Sequence, residues 1–284
     1  GYRLALIWAG AGVLWLAARA ESGSAGYDPA AWQFAYLCMA LSIGVGVITT
    51  LFSKEPVRIE LAKARNAKAW LYQTVIEPFA DFIKRYGWHA ILILSLIAIY
   101  RISDVVMGIM ANPFYVDMGY TKDEVAAVSK VFGVVMTLVG AFVGGVLTLR
   151  FGVMRILFLG AILSAVSNLL FAWLATQGHD LHGLIWVISA DNLSSGIASA
   201  AFIAFLSALT NIQYSATQYA LFSSMMLLLP KWLAGFSGVF VNNFGYSNFF
   251  IGTAIIGAPV LILIWLTIRF KVVEFKKHDS QVAK

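Results

Sequence analysis

Residues 88–112 read WHAILILSLIAIYRISDVVMGIMAN. A helix needs about 20 mostly apolar residues to cross a hydrocarbon layer of about 30 Å, and this stretch supplies them. It also carries Arg101 and Asp104 near its middle. A charge at that depth costs at least about 2.5–3.5 kcal/mol on insertion scales, so such residues face protein or water and mark a pathway. At 100° per residue Arg101, Asp104, Gly108 and Asn112 fall within about 80° of one another, a polar stripe about 16 Å long on one helix face. The stretch therefore predicts one helix of a polytopic bundle rather than a lone anchor.

The rest of the 284 residues agrees, with 60% hydrophobic and only 12% charged residues and a mean hydropathy of +0.81. Those values exclude an ordinary soluble domain and a disordered chain. A single cysteine, Cys38, excludes a disulfide framework and a cysteine-based metal site within the chain. Cutting at polar loops places eight spans at about 3–19, 31–53, 88–111, 125–149, 153–176, 183–210, 216–242 and 247–270. The chain opens at Gly1-Tyr2-Arg3 directly into an apolar run and reads as a piece of something longer.

The net charge of +6 reflects membrane orientation rather than nucleic acid, because the basic residues cluster beside the spans. Fifteen of the 20 Lys and Arg residues fall on one side, among them Lys54, Arg58, Lys84, Arg85, Arg150, Arg155, Arg269 and Lys276. By the positive-inside rule that side is cytoplasmic, and so are both chain ends. The division expected is 1–53, two helices; 54–87, a basic linker whose 75–85 segment suits a short interfacial helix; 88–272, six helices; and 273–284, a tail. Six helices make one half of a two-half secondary transporter, each half being two inverted triplets. In each triplet the first span is polar and the third nearly pure hydrocarbon, which suits cavity-lining first helices and lipid-facing third ones.

Several residues are candidates for chemistry. Arg101 and Asp104 read as pathway residues or, alternatively, as a structural ion pair at i, i+3. Asp191 and Asn192 lie at a depth similar to Asp104 and suit a shared cavity, while Ser195 and Ser199 suit helix packing. A carboxylate that is alternately buried and exposed couples proton entry to substrate entry, and Asp104 and Asp191 are the acids deep enough. If Arg101 pairs permanently with Asp104, Asp191 is the better proton carrier. Gln218 and Tyr219 offer an amide and a phenol to a ligand, or anchor a helix end at the interface. Gly145, Arg150, Gly152 and Arg155 mark a short cytoplasmic turn that suits a gating hinge. No histidine pair has metal-ligand spacing on a helix, and neither a metal nor another cofactor is expected.

The turn around Gly144-Gly145, Arg150, Gly152 and Arg155 is similar to the cytoplasmic loop motif of the major facilitator superfamily. Three longer groups are more specific: Tyr100-Arg101-Ile102-Ser103-Asp104 with Asn112-Pro113-Phe114; Asp191-Asn192-Leu193-Ser194-Ser195-Gly196; and Ser215-Ala216-Thr217-Gln218-Tyr219. Together they resemble the AmpG-type anhydromuropeptide permeases. The resemblance implies an all-α polytopic membrane protein whose eight transmembrane helices are helices five to twelve of a twelve-helix core. It implies a proton-coupled importer of N-acetylglucosaminyl-1,6-anhydromuramyl sugars and peptides across the bacterial inner membrane, serving cell-wall recycling and β-lactamase induction.

Under that reading Arg101 meets a substrate carboxylate. Asn112, Asn192, Gln218 and Tyr219 bond hydroxyls or amides, and Tyr100 stacks on a sugar face. The partners expected are a small sugar-peptide, protons, the lipid bilayer and the missing N-terminal helices of the same protein, with no nucleic acid. Other carriers among the relatives take siderophores or acetyl-CoA. A membrane enzyme acting on lipid-linked sugars is the alternative from another class, and it lacks a visible nucleophile or metal constellation.

Overall fold

The computed structural model describes residues 5, 8–20, 29–53, 66–270 and 272. Linker residues 54–65 and the tail 273–284 lie outside them. The described residues are almost wholly helical and include no strand. The chain divides into two compact units, Gly1–Ala62 and Lys63–Lys284, with the boundary inside the 54–87 stretch.

In the first unit a π-turn at Trp8–Gly12 runs into helix α1 (Val13–Ala20), which packs on α2 (Pro29–Phe52). The small residues Ala17, Ala31 and Ala35 are buried, which lets backbones approach closely. Trp8 Nε1 donates to Ser42 Oγ at 2.8 Å. Most of α2 is exposed apolar surface, the composition of a helix meant for lipid or further helices rather than water.

In the second unit a short helical turn (Ala67–Leu71) and a π-turn (Tyr72–Ile76) lead into α3 (Glu77–Tyr86), whose Pro78 sits where a helix start tolerates the missing N–H. Six rods follow. The first is α4 (His89–Ile99) continued by α5 (Ile102–Asp117). Next, α6 (Lys122–Val128) leads through a π-turn into α7 (Val134–Phe151). Then come α8 (Val153–Gln177) and α9 (Leu181–Leu209). The last two rods are made by three helices, α10 (Ser215–Ala234), α11 (Ser237–Ile256) and α12 (Ala258–Arg269), because α11 is broken at Gly245.

Six stretches among the described residues are long and apolar enough to cross a membrane, against the eight spans expected. Two differences account for this. The described helix of the first span is only Val13–Ala20, and Ser215–Ala234, with Gln218 and Lys231 in it, is less apolar than the others. The stretch Ser237–Arg269 counts once although it folds back on itself. A straight helix would separate residues 240 and 252 by about 18 Å, yet a Cβ at Gly252 would lie 3.9 Å from the Phe240 ring. The reversal is at Gly245, whose φ of 78° is open to glycine and strained for other residues. Tyr246 Oη accordingly reaches Asp117 Oδ2 at 2.6 Å, at one end of the bundle, while Phe270 meets Trp88 at the other.

The tightest seam joins α7 to α9. Backbone of α9 lies against Gly140 and Gly144, and backbone of α7 against Gly196, leaving no room for side chains there. The aromatic core of Phe114, Phe171 and Phe250 ties α5, α8 and α11 together.

Candidate functional site

The first rod breaks at Tyr100-Arg101, where Arg101 leaves helical geometry at φ −96° and ψ 10°. That break puts the guanidinium among three helices. Arg101 Nη1 donates to Ser199 Oγ of α9 at 2.8 Å, and Nη2 lies 3.5 Å from Asp104 Oδ2. Among the described residues its buried Nε has no partner. A second break, at Gly257 before Pro259, faces the same region. There Gly257 N bonds Ala254 O instead of Thr253 O, and the freed Thr253 carbonyl accepts from Ser103 Oγ at 2.8 Å. Ser103 in turn accepts from Asn168 Nδ2 at 2.7 Å.

The two acids are held differently. Asp104 Oδ1 accepts from Ser164 Oγ of α8, and its other oxygen faces Arg101. Asp191 Oδ1 accepts from Ser167 Oγ, also of α8, at 3.1 Å. The two carboxylates are within electrostatic reach of each other and of Arg101. The structure thus brings together Arg101, Asp104 and Asp191, and adds Ser164, Ser167 and Ser199.

The remaining candidates stand elsewhere. Asn112 lies about two turns beyond Asp104 on α5 and is exposed. Tyr100 is buried, stacked on Phe202 at 4.5 Å between centroids, and donates to Leu157 O at 3.2 Å. Asn192 points to the α7 seam, accepting from Thr137 Oγ1 at 2.8 Å and donating to Ile188 O at 2.8 Å. Gln218 is 1% exposed, and its amide is spent on α3: Nε2 donates to Pro78 O at 2.9 Å and to Asp81 Oδ2 at 3.1 Å. Its Oε1 accepts from Arg85 Nη2 at 3.2 Å and from Asn211 N at 2.8 Å. Tyr219 is on the outer side of α10, lining a shallow cleft with Ser207, Thr210 and Ser223. Gly152 makes the turn between α7 and α8 with φ 88°, flanked by exposed Arg150 and Arg155, and Gly145 has open space beside it.

One expectation needs correcting. Helix α8, the third span of its triplet, was to be lipid-facing hydrocarbon, but Ser164, Ser167 and Asn168 are buried in the polar network. The signal was present as hydroxyls and an amide at i, i+3 and i+4, a one-face spacing. Short hydroxyls barely lower the hydropathy of a span, which hid it. Ser199 takes part in helix-to-helix hydrogen bonding, accepting from Arg101. Among the described residues no three His, Cys, Asp or Glu side chains come together in a way that could hold a metal ion.

No family model matches the chain. Individual proteins do. The chain is 34% identical over 266 residues to the AmpG 4 protein of Rickettsia felis, covering 93% of this chain and 61% of that protein. The AmpG 4 protein of Rickettsia conorii is 34% identical over 275 residues, 96% of this chain and 64% of that protein. The anhydromuropeptide permease of Escherichia coli K12 is 32% identical over 266 residues, 93% of this chain and 51% of the permease. The chain therefore spans between about half and two thirds of the length of these relatives. With its apolar helices and this likeness, it is a multi-pass membrane protein that is similar over most of its length to the AmpG-type permeases.

Proposed function

We propose that the chain carries the larger part of a proton-coupled secondary transporter that imports N-acetylglucosaminyl-1,6-anhydromuramyl sugars and muropeptides across the bacterial inner membrane. The observation that carries this reading is the Arg101, Asp104 and Asp191 cluster at a broken helix, in a chain similar to the anhydromuropeptide permease of Escherichia coli. An arginine is suited to a planar carboxylate such as that of a muramyl or peptide group. Asp104 is already engaged by both Arg101 and Ser164. Asp191, with Ser167 alone as hydrogen-bond donor among the described residues, is then the proton carrier. In this reading Asn112, exposed on α5, meets hydroxyls or amides of the sugar.

In this reading the protein is a carrier and not an enzyme. Both ends of the chain are cytoplasmic, and the Gly145, Arg150, Gly152 and Arg155 turn is the hinge at the cytoplasmic side. Further helices, of the kind that the longer relatives have room for, complete the cavity. Transport follows by rocking of two halves about the midplane site.

The test is uptake of labelled disaccharide anhydromuropeptide by permease-deleted cells expressing the complete gene, at two proton gradients. Uptake should rise with the gradient and fall about tenfold or more in Arg101→Ala and Asp191→Asn, a loss of at least about 1.4 kcal/mol of stabilisation on the path. No uptake by the well-expressed protein would sink the ligand assignment. Gradient-independent uptake would sink the coupling.

A further inference from the structure

The hydroxyl of Ser167 has one hydrogen and two acceptors. Ser167 Oγ lies 2.9 Å from Ser164 O and 3.1 Å from Asp191 Oδ1, on a side chain 1% exposed. Water does not reach a hydroxyl so buried, so the response of Ser167 to any change at Asp191 is a rearrangement of bonds already there. A hydroxyl does this without moving its oxygen, because it donates one hydrogen and still accepts.

We infer that Ser167 is the positioning residue that lets Asp191 exist in both protonation states inside the bundle. With Asp191 ionised, Ser167 gives its hydrogen to Oδ1. With Asp191 protonated, Ser167 turns its hydrogen to the Ser164 carbonyl and accepts the carboxyl O–H. The proton arrives on Asp191 from water and leaves from it, and Ser167 keeps its own hydrogen throughout. Ser164 has a different task, because its hydroxyl is committed to Asp104. The inference rests on the reading that Asp191 exchanges a proton. Among the described residues, the charged or titratable groups within electrostatic reach of Asp191 are Arg101, Asp104 and Tyr115, all on the first rod. The side chain of Lys130, on the segment before α7, lies outside the described residues.

The experiment is an infrared pH titration of the protonated-carboxyl band of the 284-residue chain in lipid nanodiscs, without substrate. Subtraction of Asp191→Asn isolates the Asp191 band. Hydrogen bonds to a charged acceptor are roughly twice as strong as neutral ones, so Ser167→Ala should change the proton affinity of Asp191 about tenfold, towards tighter holding. The band should also shift in frequency, since the protonated acid loses its acceptor. Ser167→Thr should stay within about threefold of the parent, because it keeps the hydroxyl. Ser164→Ala should leave the Asp191 midpoint in place, because the Ser164 carbonyl remains.

A Ser167→Ala midpoint and band equal to the parent's would overturn the inference, and so would Ser167→Thr behaving like Ser167→Ala. If Ser167→Ala does not fold, Ser167→Cys, a weaker donor of similar size, is read by the same criteria. A parent with no Asp191 band at any pH at which it stays folded would instead remove the underlying reading of Asp191 as proton carrier.

Discussion

A Cβ placed on Gly144 would sit 2.7 Å from Cα of Ile197, and one on Gly196 would sit 2.6 Å from the Thr137 carbonyl oxygen. Neither neighbour is the flexible end of a side chain, so relief requires the helices to separate. Gly144→Leu should therefore lower stability by about 1–3 kcal/mol, the usual cost of overpacking. Gly145→Ala, one residue on with open space beside it, should change little. Thermal denaturation of the purified protein separates the two.

Glu124 belongs to the same scale. The Thr121 backbone N–H, then His179, then the Thr121 hydroxyl hold its carboxyl below the ordinary carboxylate range. A depressed value means that its contribution to stability is complete above the ordinary pKa of about 4.3 and is lost as pH falls through the lower, folded value. The stability gap between the parent and Glu124→Gln should thus be constant near neutrality and close on acidification. A gap that widens in acid would contradict the assignment.

At the scale of elements, two kinds of joint recur. Helices break where carbonyls are needed or released: Tyr100-Arg101 delivers the guanidinium, and Gly257-Ala258-Pro259 frees the Thr253 carbonyl for Ser103. Elsewhere one amide clamps elements together. Gln218 of α10 binds Pro78, Asp81 and Arg85 of α3 and the backbone of Asn211, while Arg85 also donates to Leu209 O at 3.1 Å. Phe82 of α3 packs on Phe222 of α10 at 5.2 Å between centroids. Gln218→Leu leaves several buried polar groups unmatched, at about 1–3 kcal/mol each for those that water cannot reach. Hydrogen exchange at 77–86 should accelerate in that variant while the aromatic core around Phe114 stays protected. Unchanged exchange at 77–86 would show that Phe82 and the Arg85 bond to Leu209 hold α3 without Gln218.

For the whole molecule, the second unit is six rods around a core of α5, α8, α9 and α11, with the Arg101, Asp104 and Asp191 cluster between α5, α8 and α9. The 284-residue chain covers 61% of AmpG 4 of Rickettsia felis, and in the proposed function further helices complete the cavity. Expressed alone in a permease-deleted host it should give no uptake above background. Measurable uptake by the 284-residue chain would mean that the described helices make a complete path.

The sequence by itself determined the class of the molecule. Lipid as solvent demands long apolar runs, and those runs, with charges rare and grouped, are legible one residue at a time in 88–112 and its successors. It also marked Arg101, Asp104 and Asp191, because a charge at bilayer depth is conspicuous whatever surrounds it. Tertiary structure decided which polar residues meet. Asn192, Gln218 and Tyr100 have the chemistry of ligand contacts but are consumed by α7, α3 and α8, and only the packed neighbours reveal that. Ser164, Ser167 and Ser199 are the converse: small hydroxyls that cost little in a span acquire a role when the helix opposite brings a charge within 3 Å or so.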